Sequence, residues 1–146
     1  FKIYLVDVGV LRRLAHLAPT AFGEGNRLFT EFKGALTENF VLQTLITQFE
    51  VVPRYWSQNN PPYEVDFLIQ RENDIFPVEV KSEANTTSKS PKKFKELFQN
   101  QVKLRVRFSL DNLKLDDDVL NIPLFMADQT DRLIGLALEQ RKVGLP

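Results

Sequence analysis

A chain of 146 residues is the size of one ordinary domain, and 43% apolar with 26% charged residues is the balance of a soluble globular protein. With no cysteine there is no disulfide framework and no thiolate zinc site, and the single histidine, His16, excludes any site needing two imidazoles. The formal net charge of +0 lacks the excess of a dedicated nucleic-acid binder, although neutrality is compatible with a local basic groove.

No apolar run reaches the roughly 18 residues of a membrane span. No signal peptide is visible, so the expected compartment is the cytoplasm. The chain starts at Phe1 without an initiator Met and is expected to be part of a longer protein.

In chain order, Lys2–Val6 reads as a strand, and Asp7 caps a short helix carrying Val10, Leu11 and Leu14. Pro19–Gly25 reads as a loop. Gly34–Phe49 is the clearest helix, with Ala35, Val41, Leu42, Leu45, Ile46 and Phe49 on one face at about 100° per residue. Glu38 falls inside that apolar face, where a carboxylate is costly unless paired or metal-bound. Val51–Trp56 reads as an edge strand because Pro53 removes a donor, and Ser57–Pro62 as a loop. Tyr63–Gln70 and Ile75–Lys81 are strands around a polar turn at Arg71–Asp74. Ser82–Lys89 is a polar loop. Ser90 and Pro91 have the form of an N-cap and first helical residue, ahead of Phe94, Leu97 and Phe98. Val102–Leu110 alternates as a strand, Asp116–Asp118 is an acidic turn, and Ile122–Met126 is a short strand. A last helix covers Thr130–Gln140, with Leu133, Ile134, Ala137 and Leu138 inward. The expected class is mixed α/β with a central sheet, one domain over 1–146.

The central hairpin carries the chemistry. Pairing Gln70 with Ile75 sets Asp66 opposite Glu79 and Glu64 opposite Lys81. By alternation Asp66, Glu79 and Lys81 then share a face. Two carboxylates directly opposed repel each other, and a divalent cation between them relieves this. Lys81, two residues beyond Glu79, is placed to orient an attacking water or stabilise charge on a phosphate.

The spacing of Asp66, the tripeptide Glu79-Val80-Lys81 and the upstream helical Glu38 resembles the PD-(D/E)XK nuclease superfamily. The segments KGALTENFV (33–41), YWSQNNPPYEVDFLI (55–69) and PVEVKS (77–82), with FKIYLVDVGVLRRL at 1–14, are similar to the C-terminal domain, of no assigned function, found in a family of bacterial and archaeal AAA-type ATPases. The resemblance covers nearly the whole chain and is strongest between 33 and 95. It implies a restriction-endonuclease-like fold, a mixed sheet flanked by helices, behind an N-terminal ATPase module. It also implies a Mg²⁺ (or Mn²⁺) site on Asp66, Glu79 and the Val80 carbonyl, with Lys81 as catalytic lysine and Glu38 as metal or water ligand. The proline of the superfamily's name is replaced by Val65. No phosphate-binding loop of the G-x-x-x-x-G-K-[ST] type occurs in the chain.

The expected function is Mg²⁺-dependent phosphodiester hydrolysis of DNA; the alternative is a catalytically silent module that binds DNA or a protein partner for the ATPase. Lys89, Lys92, Lys93 and Lys95, with Lys103, Arg105 and Arg107, form a candidate phosphate track. Each is equally an ordinary solvated residue, and Lys81 is equally the partner of Glu64 in a cross-strand ion pair. Glu38 has a structural alternative as a buried acid paired with lysine or arginine. Tyr55 and Trp56 have the shape to stack on a base, with Trp56 expected in the core.

Overall fold

The computed structural model describes residues 2–17, 27–82 and 89–143. Six strands form one mixed sheet: β1 (Arg54–Asn59), β2 (Pro62–Arg71), β3 (Asp74–Val80), β4 (Arg105–Ser109), β5 (Lys114–Asp116) and β6 (Val119–Pro123). Their spatial order is β1-β2-β3-β4-β6-β5. The β1/β2, β2/β3 and β5/β6 pairs are antiparallel, whereas β3/β4 and β4/β6 are parallel. A parallel neighbour needs a crossover, and helix α3 (Lys89–Leu97) lies between β3 and β4 in the chain. The other helices are α1 (Val8–Leu14), α2 (Arg27–Leu45) and α4 (Thr130–Val143), the last entered through a 3-10 turn at Leu124–Gln129.

The sheet separates two apolar layers. The main core joins Phe67 and Ile69 of β2, Phe76, Val78 and Val80 of β3, and Val106 and Phe108 of β4 to Val41 and Leu45 of α2 and Ile134 of α4. Phe67, Ile69, Phe76 and Phe108 are essentially solvent-free, and burying each such side chain is worth about 1.5–3 kcal/mol. A smaller cluster unites Val65, Phe94 of α3 and Val102, with Trp56, Leu68 and Ile75 packed against it. Trp56 meets Phe94 edge to face at 5.3 Å. Trp56 is thus partly core, as expected, while Tyr55 is exposed.

The central hairpin has the register read from the sequence, with Phe67 opposite Val78 and Gln70 opposite Ile75. Its turn is shorter than expected, because Arg71 and Asp74 also pair and only Glu72 and Asn73 remain between them. Glu72 adopts φ 57°, the positive value that two-residue hairpin turns require at their first central position. Both strands reach closer to Asn60 and Pro61 than expected: β1 is shifted along the chain and β2 is longer. Asn59 and Pro62 are already paired, so most of the loop expected at Ser57–Pro62 is strand. Pro53 stands just before β1 rather than inside it. The terminal position of β1 in the sheet matches the edge-strand reading. Strand β5 was not anticipated; it is only three residues long and largely exposed.

Other local differences have plain causes. Ser90 is already inside α3 and does not cap it; its hydroxyl accepts the Glu64 backbone N–H at 3.2 Å. Helix α2 begins earlier and stops at Leu45, leaving Ala35 and Ile46 exposed while Leu36 and Asn39 are buried. Val102 and Leu104 are buried outside a strand that starts only at Arg105. The last strand is Val119–Pro123, and the Leu124–Met126 stretch of the expected strand is 3-10. Helix α4 agrees with the expected element and buries Leu133, Ile134 and Ala137. Helix α1 is capped by Asp7, whose carboxylate accepts from Val10 N–H at 3.1 Å. At its far end His16 takes φ 55° and its N–H donates to the Arg13 carbonyl, while Leu17 N–H donates to that of Arg12. This is the two-bond left-handed cap usually made by glycine. The loop expected at Pro19–Gly25 and most of that at Ser82–Lys89 lie outside the described residues.

Lys2–Val6 is not a strand of the sheet. It runs along α2 and bonds to side-chain amides. Asn39 Oδ1 accepts the Leu5 N–H at 2.8 Å, and Asn39 Nδ2 donates to the Leu5 carbonyl at 3.1 Å. One turn on, Gln43 Nε2 donates to the Val6 carbonyl at 2.6 Å and Gln43 Oε1 accepts the Val8 N–H at 3.2 Å. Each amide thus imitates a neighbouring strand, offering one donor and one acceptor. Alternating apolar residues made the segment look like a ladder strand, but its hydrogen bonds go to a helix. Asn39 is buried, so Asn39→Ala should cost about 2 kcal/mol in urea denaturation and speed hydrogen exchange at the Leu5 amide. Gln43→Ala should cost less, because that amide is closer to solvent.

Candidate functional site

The site forms where β2 parts from β3. Their ladder ends at Phe67–Val78. Beyond it the Val80 N–H donates to Asp66 Oδ2 at 2.8 Å, so a side chain takes the place of a ladder carbonyl. The cause lies on the other flank of β2. Arg54 pairs with Leu68 but Trp56 with Val65, so β2 spends one residue more than β1 across this stretch. An extra residue reverses the alternation of side chains past it. Val65 accordingly packs in the α3 cluster, whereas Phe67, of the same parity, packs in the main core.

This irregularity divides the expected site into two halves. On the α2 side stand Glu38, Glu64 and Asp66, gathered around the ammonium of Lys2. Lys2 Nζ lies 2.5 Å from Glu64 Oε1, 3.3 Å from Glu38 Oε2 and 3.6 Å from Asp66 Oδ1. Tyr4 completes the group by donating its hydroxyl to Glu38 Oε2 at 3.1 Å. The other half is Glu79 with Lys81, whose Nζ lies 2.6 Å from Glu79 Oε1. Glu79 alternates with Val78 and Val80, which face the main core, so its carboxylate leaves β3 on the opposite side. The same-face expectation for Asp66, Glu79 and Lys81 is corrected to this extent. Asp66 belongs spatially with Glu38, and the Val80 N–H joins the two halves. The Glu64–Lys81 ion pair is replaced by Lys2–Glu64 and Glu79–Lys81.

Sequence reasoning missed Lys2 and Tyr4, which lie more than 30 residues from their partner Glu38. The signal that was available was Glu38 itself. A carboxylate on an apolar helix face requires a partner, and the reading of Glu38 as a lysine-paired acid describes its surroundings.

The electrostatics follow from burial. Burial pushes the Asp66 carboxyl up to about 6; the Val80 N–H opposes this, Glu38 adds to it, Lys2 opposes it and Glu79 adds to it. The Lys2 ammonium is disfavoured by burial, but Glu64 and Glu38 outweigh that and hold it firmly protonated. Tyr4 is raised by burial and by Glu38 and stays neutral. Glu79 is 9% exposed and its Oε2 has no hydrogen-bond partner among the described residues. A buried carboxylate oxygen left unpaired costs about 1–3 kcal/mol or more.

The donor set of the centre is oxygen-rich, as a hard cation requires. The unpartnered Glu79 Oε2 and the charge-poor Asp66 are the two groups such an ion would satisfy. Among the described residues, no three His, Asp or Glu side chains stand close enough together to hold a metal as they are arranged. A cleft of about 650 Å³ opens beside Asp66, between the N-terminal segment, α2 and the β1 edge. Tyr4, Ile46, Tyr55, Trp56 and Phe67 supply much of its wall.

The basic residues divide by partner. Lys95 Nζ and Arg105 Nε lie 2.6 and 2.8 Å from the same Asp118 oxygen, and Arg105 N–H donates to the Asp118 carbonyl at 2.7 Å. Burial disfavours the charge on Asp118, yet the bonds from Arg105 and Lys95 prevail and hold its carboxyl well below the usual carboxylate range. Lys95 and Arg105 therefore staple α3 and β4 to the β5–β6 turn. Lys93 pairs with Glu96 at 3.4 Å and Lys103 with Asp74 at 2.6 Å. Lys89 and Lys92 are exposed and make no ion pair among the described residues.

The fold and site thus define a mixed α/β domain, its six-stranded sheet flanked by helices, with a carboxylate–lysine centre at the point where two strands part. A family model described as domain of unknown function (DUF4143) matches residues 33–125, more than half of the chain, and the protein belongs to that family. No curated protein and no solved structure matches the chain. Among the described residues, no helix is long and apolar enough to cross a membrane.

Two stability tests follow. Asp66 holds its proton more tightly folded than unfolded between pH 3.8 and about 6. In metal-free buffer, stability should therefore fall as pH rises through that window, by up to about 2 kcal/mol. Asp66→Asn, which keeps an acceptor for Val80, should flatten that slope in urea denaturation read pH by pH. Asp118→Ala leaves two cations without their counter-ion and should destabilise the domain by about 3 kcal/mol. A loss below about 0.5 kcal/mol, the level of a surface pair, would contradict the staple.

Proposed function

We propose that the domain is a divalent-metal-dependent phosphodiesterase acting on DNA, with Asp66 and Glu79 as the ion's carboxylate ligands and Lys81 beside them. The observation that carries this is Glu79: one oxygen is buried without a partner among the described residues and the other is held 2.6 Å from Lys81. An ion held by Asp66 and Glu79 would give Glu79 Oε2 the partner it lacks among the described residues and would bring a water into reach of the phosphate. Lys81 then places an ammonium next to the developing charge. Glu38, hydrogen-bonded by Tyr4, sets the position of Lys2 and through it the charge on Asp66. The element order α2-β1-β2-β3-α3-β4 and the Asp66…Glu79-Val80-Lys81 spacing support this nuclease-type reading, and the cleft beside Asp66 gives a strand a way in. On the same reading the exposed Lys89 and Lys92 meet the DNA backbone, with Lys93 at their side, and an AAA-type ATPase module is the partner in the full protein.

One observation favours a second reading. Lys2 already neutralises part of the acidic group, and among the described residues no three ligands converge, which suits a catalytically silent module that binds DNA or a protein partner. Activity separates the two. With Mg²⁺ or Mn²⁺, Glu79→Gln and Lys81→Met should each reduce DNA cleavage by about 100-fold or more, with far-UV circular dichroism unchanged. If the wild-type chain nicks neither single-stranded nor duplex DNA with either ion, the silent module is the correct reading.

A further inference from the structure

We propose that the cleft beside Asp66 holds one unpaired nucleotide, with Tyr55 as the ring on which its base stacks, so that the domain takes single-stranded DNA in preference to duplex. The inference rests on the DNA reading above and specifies the form of the strand.

The cleft has the size of a small-molecule site. Its volume of about 650 Å³ falls within the roughly 300–1,000 Å³ of such sites. That is room for a nucleotide and not for a double helix. Much of its wall is apolar, and part of that wall is open to solvent: Ile46, Val52 and Tyr55 are 50%, 66% and 45% exposed. Large apolar side chains left open together mark a surface that binds something. Tyr55 is the aromatic ring free to take a base. The other aromatic residues of the cleft are already engaged. Trp56 meets Phe94 edge to face, Phe67 is buried, and Tyr4 lies against Phe67 with its hydroxyl on Glu38.

The polar groups of the cleft suit a nucleotide better than an apolar peptide side chain. A base is apolar on its faces and carries N–H donors on its edge. Asp66 Oδ2 accepts the Val80 N–H, whereas Oδ1 lies 3.6 Å from Lys2 Nζ, beyond ordinary hydrogen-bond length, and can accept from a base edge. Arg54 lines the same cleft, is exposed and makes no ion pair among the described residues, so it can meet the phosphate. An apolar side chain in the cleft would leave both groups unmet. A duplex keeps its bases stacked inside and offers mainly its backbone, to which a chain of formal net charge +0 has little overall attraction. A free base adds stacking, worth about tenfold in affinity on one aromatic ring.

The test is fluorescence anisotropy of a labelled mixed-sequence oligonucleotide with the full chain in EDTA, as a single strand and as its duplex. Wild type should bind the single strand about tenfold more tightly than the duplex. Tyr55→Ala should lose about that factor and Tyr55→Phe, which keeps the ring, should not. Arg54→Ala should also weaken single-strand binding. Far-UV circular dichroism of each variant should match wild type, because both side chains are exposed. Equal affinity for the two forms, or a Tyr55→Ala protein that binds the single strand like wild type, would overturn the inference. Binding to neither form would overturn it too and leave the apolar rim to a protein partner. Cleavage with Mg²⁺ or Mn²⁺ separates this from the hydrolytic reading. Duplex cut in preference to single strand would overturn the inference and leave hydrolysis standing. Single-strand binding that depends on Tyr55, with no cleavage, would support the inference and overturn hydrolysis.

Discussion

The bond from the Val80 N–H to Asp66 is the constraint on which the rest of the centre depends. A strand leaving its neighbour strands a donor, and a buried donor must find an acceptor. Asp66 supplies one, and in doing so it is drawn out of water and fixed in the gap. The cost of that burial appears as a carboxyl pushed up to about 6. Everything around it then reads as a response to displaced charge. Lys2 is held in from one side, Glu38 is held to Lys2 and Tyr4, and Glu79 is left with an oxygen unmatched on the other side. A regular ladder would have given Val80 a backbone acceptor and left Asp66 with no structural reason to be buried.

The register of the central hairpin was legible because parity leaves few choices once an apolar face must be buried. Phe67, Ile69, Phe76, Val78 and Val80 share one face only in registers of one parity, and the shortest turn of that parity sets Asp66 opposite Glu79 in sequence register. The extra residue in β2 was not legible. It is a response to pairing with β1, and nothing in Val65-Asp66-Phe67 announces it. Helix α2 and its anomalous acid were legible from helical period; the partners of that acid were not, because a contact across more than 30 residues leaves no local pattern. The lysines and Arg105 after β3 show the limit of composition. They look alike in sequence, yet Asp118 claims Lys95 and Arg105 while Lys89 and Lys92 remain on the surface. In the sequence Asp118 stands only as one residue of an acidic turn.

Amide side chains do the joining that a seventh strand would otherwise do. Asn39 and Gln43 carry the N-terminal segment, and at the other end of α2 Gln48 donates to the Ala127 carbonyl and accepts from the Asp131 N–H. Helix α2 is thus tied along its length to backbone that has no ladder partner. This places Glu38 between two firmly held segments, and it explains why a helix with a weakly segregated apolar face is nonetheless fixed against the sheet. The DUF4143 family match runs from within α2 through β6 and covers most of the elements that make this arrangement, while Lys2 and Tyr4 lie ahead of the matched region.

The two ends of the sheet bear on how the protein behaves in a crowded solution. An outer strand exposes a row of unpaired amides and carbonyls onto which another chain can add, the first step of aggregation. Here β1 is preceded by Pro53, opens with the charged Arg54, and meets its neighbour through an irregular register. At the opposite end β5 is three residues long and bears Lys114 and Asp116. Neither offers the flat, apolar template that runaway strand addition needs. The irregularity that spoils the β1–β2 ladder for the sake of Asp66 also helps to keep copies of the protein apart.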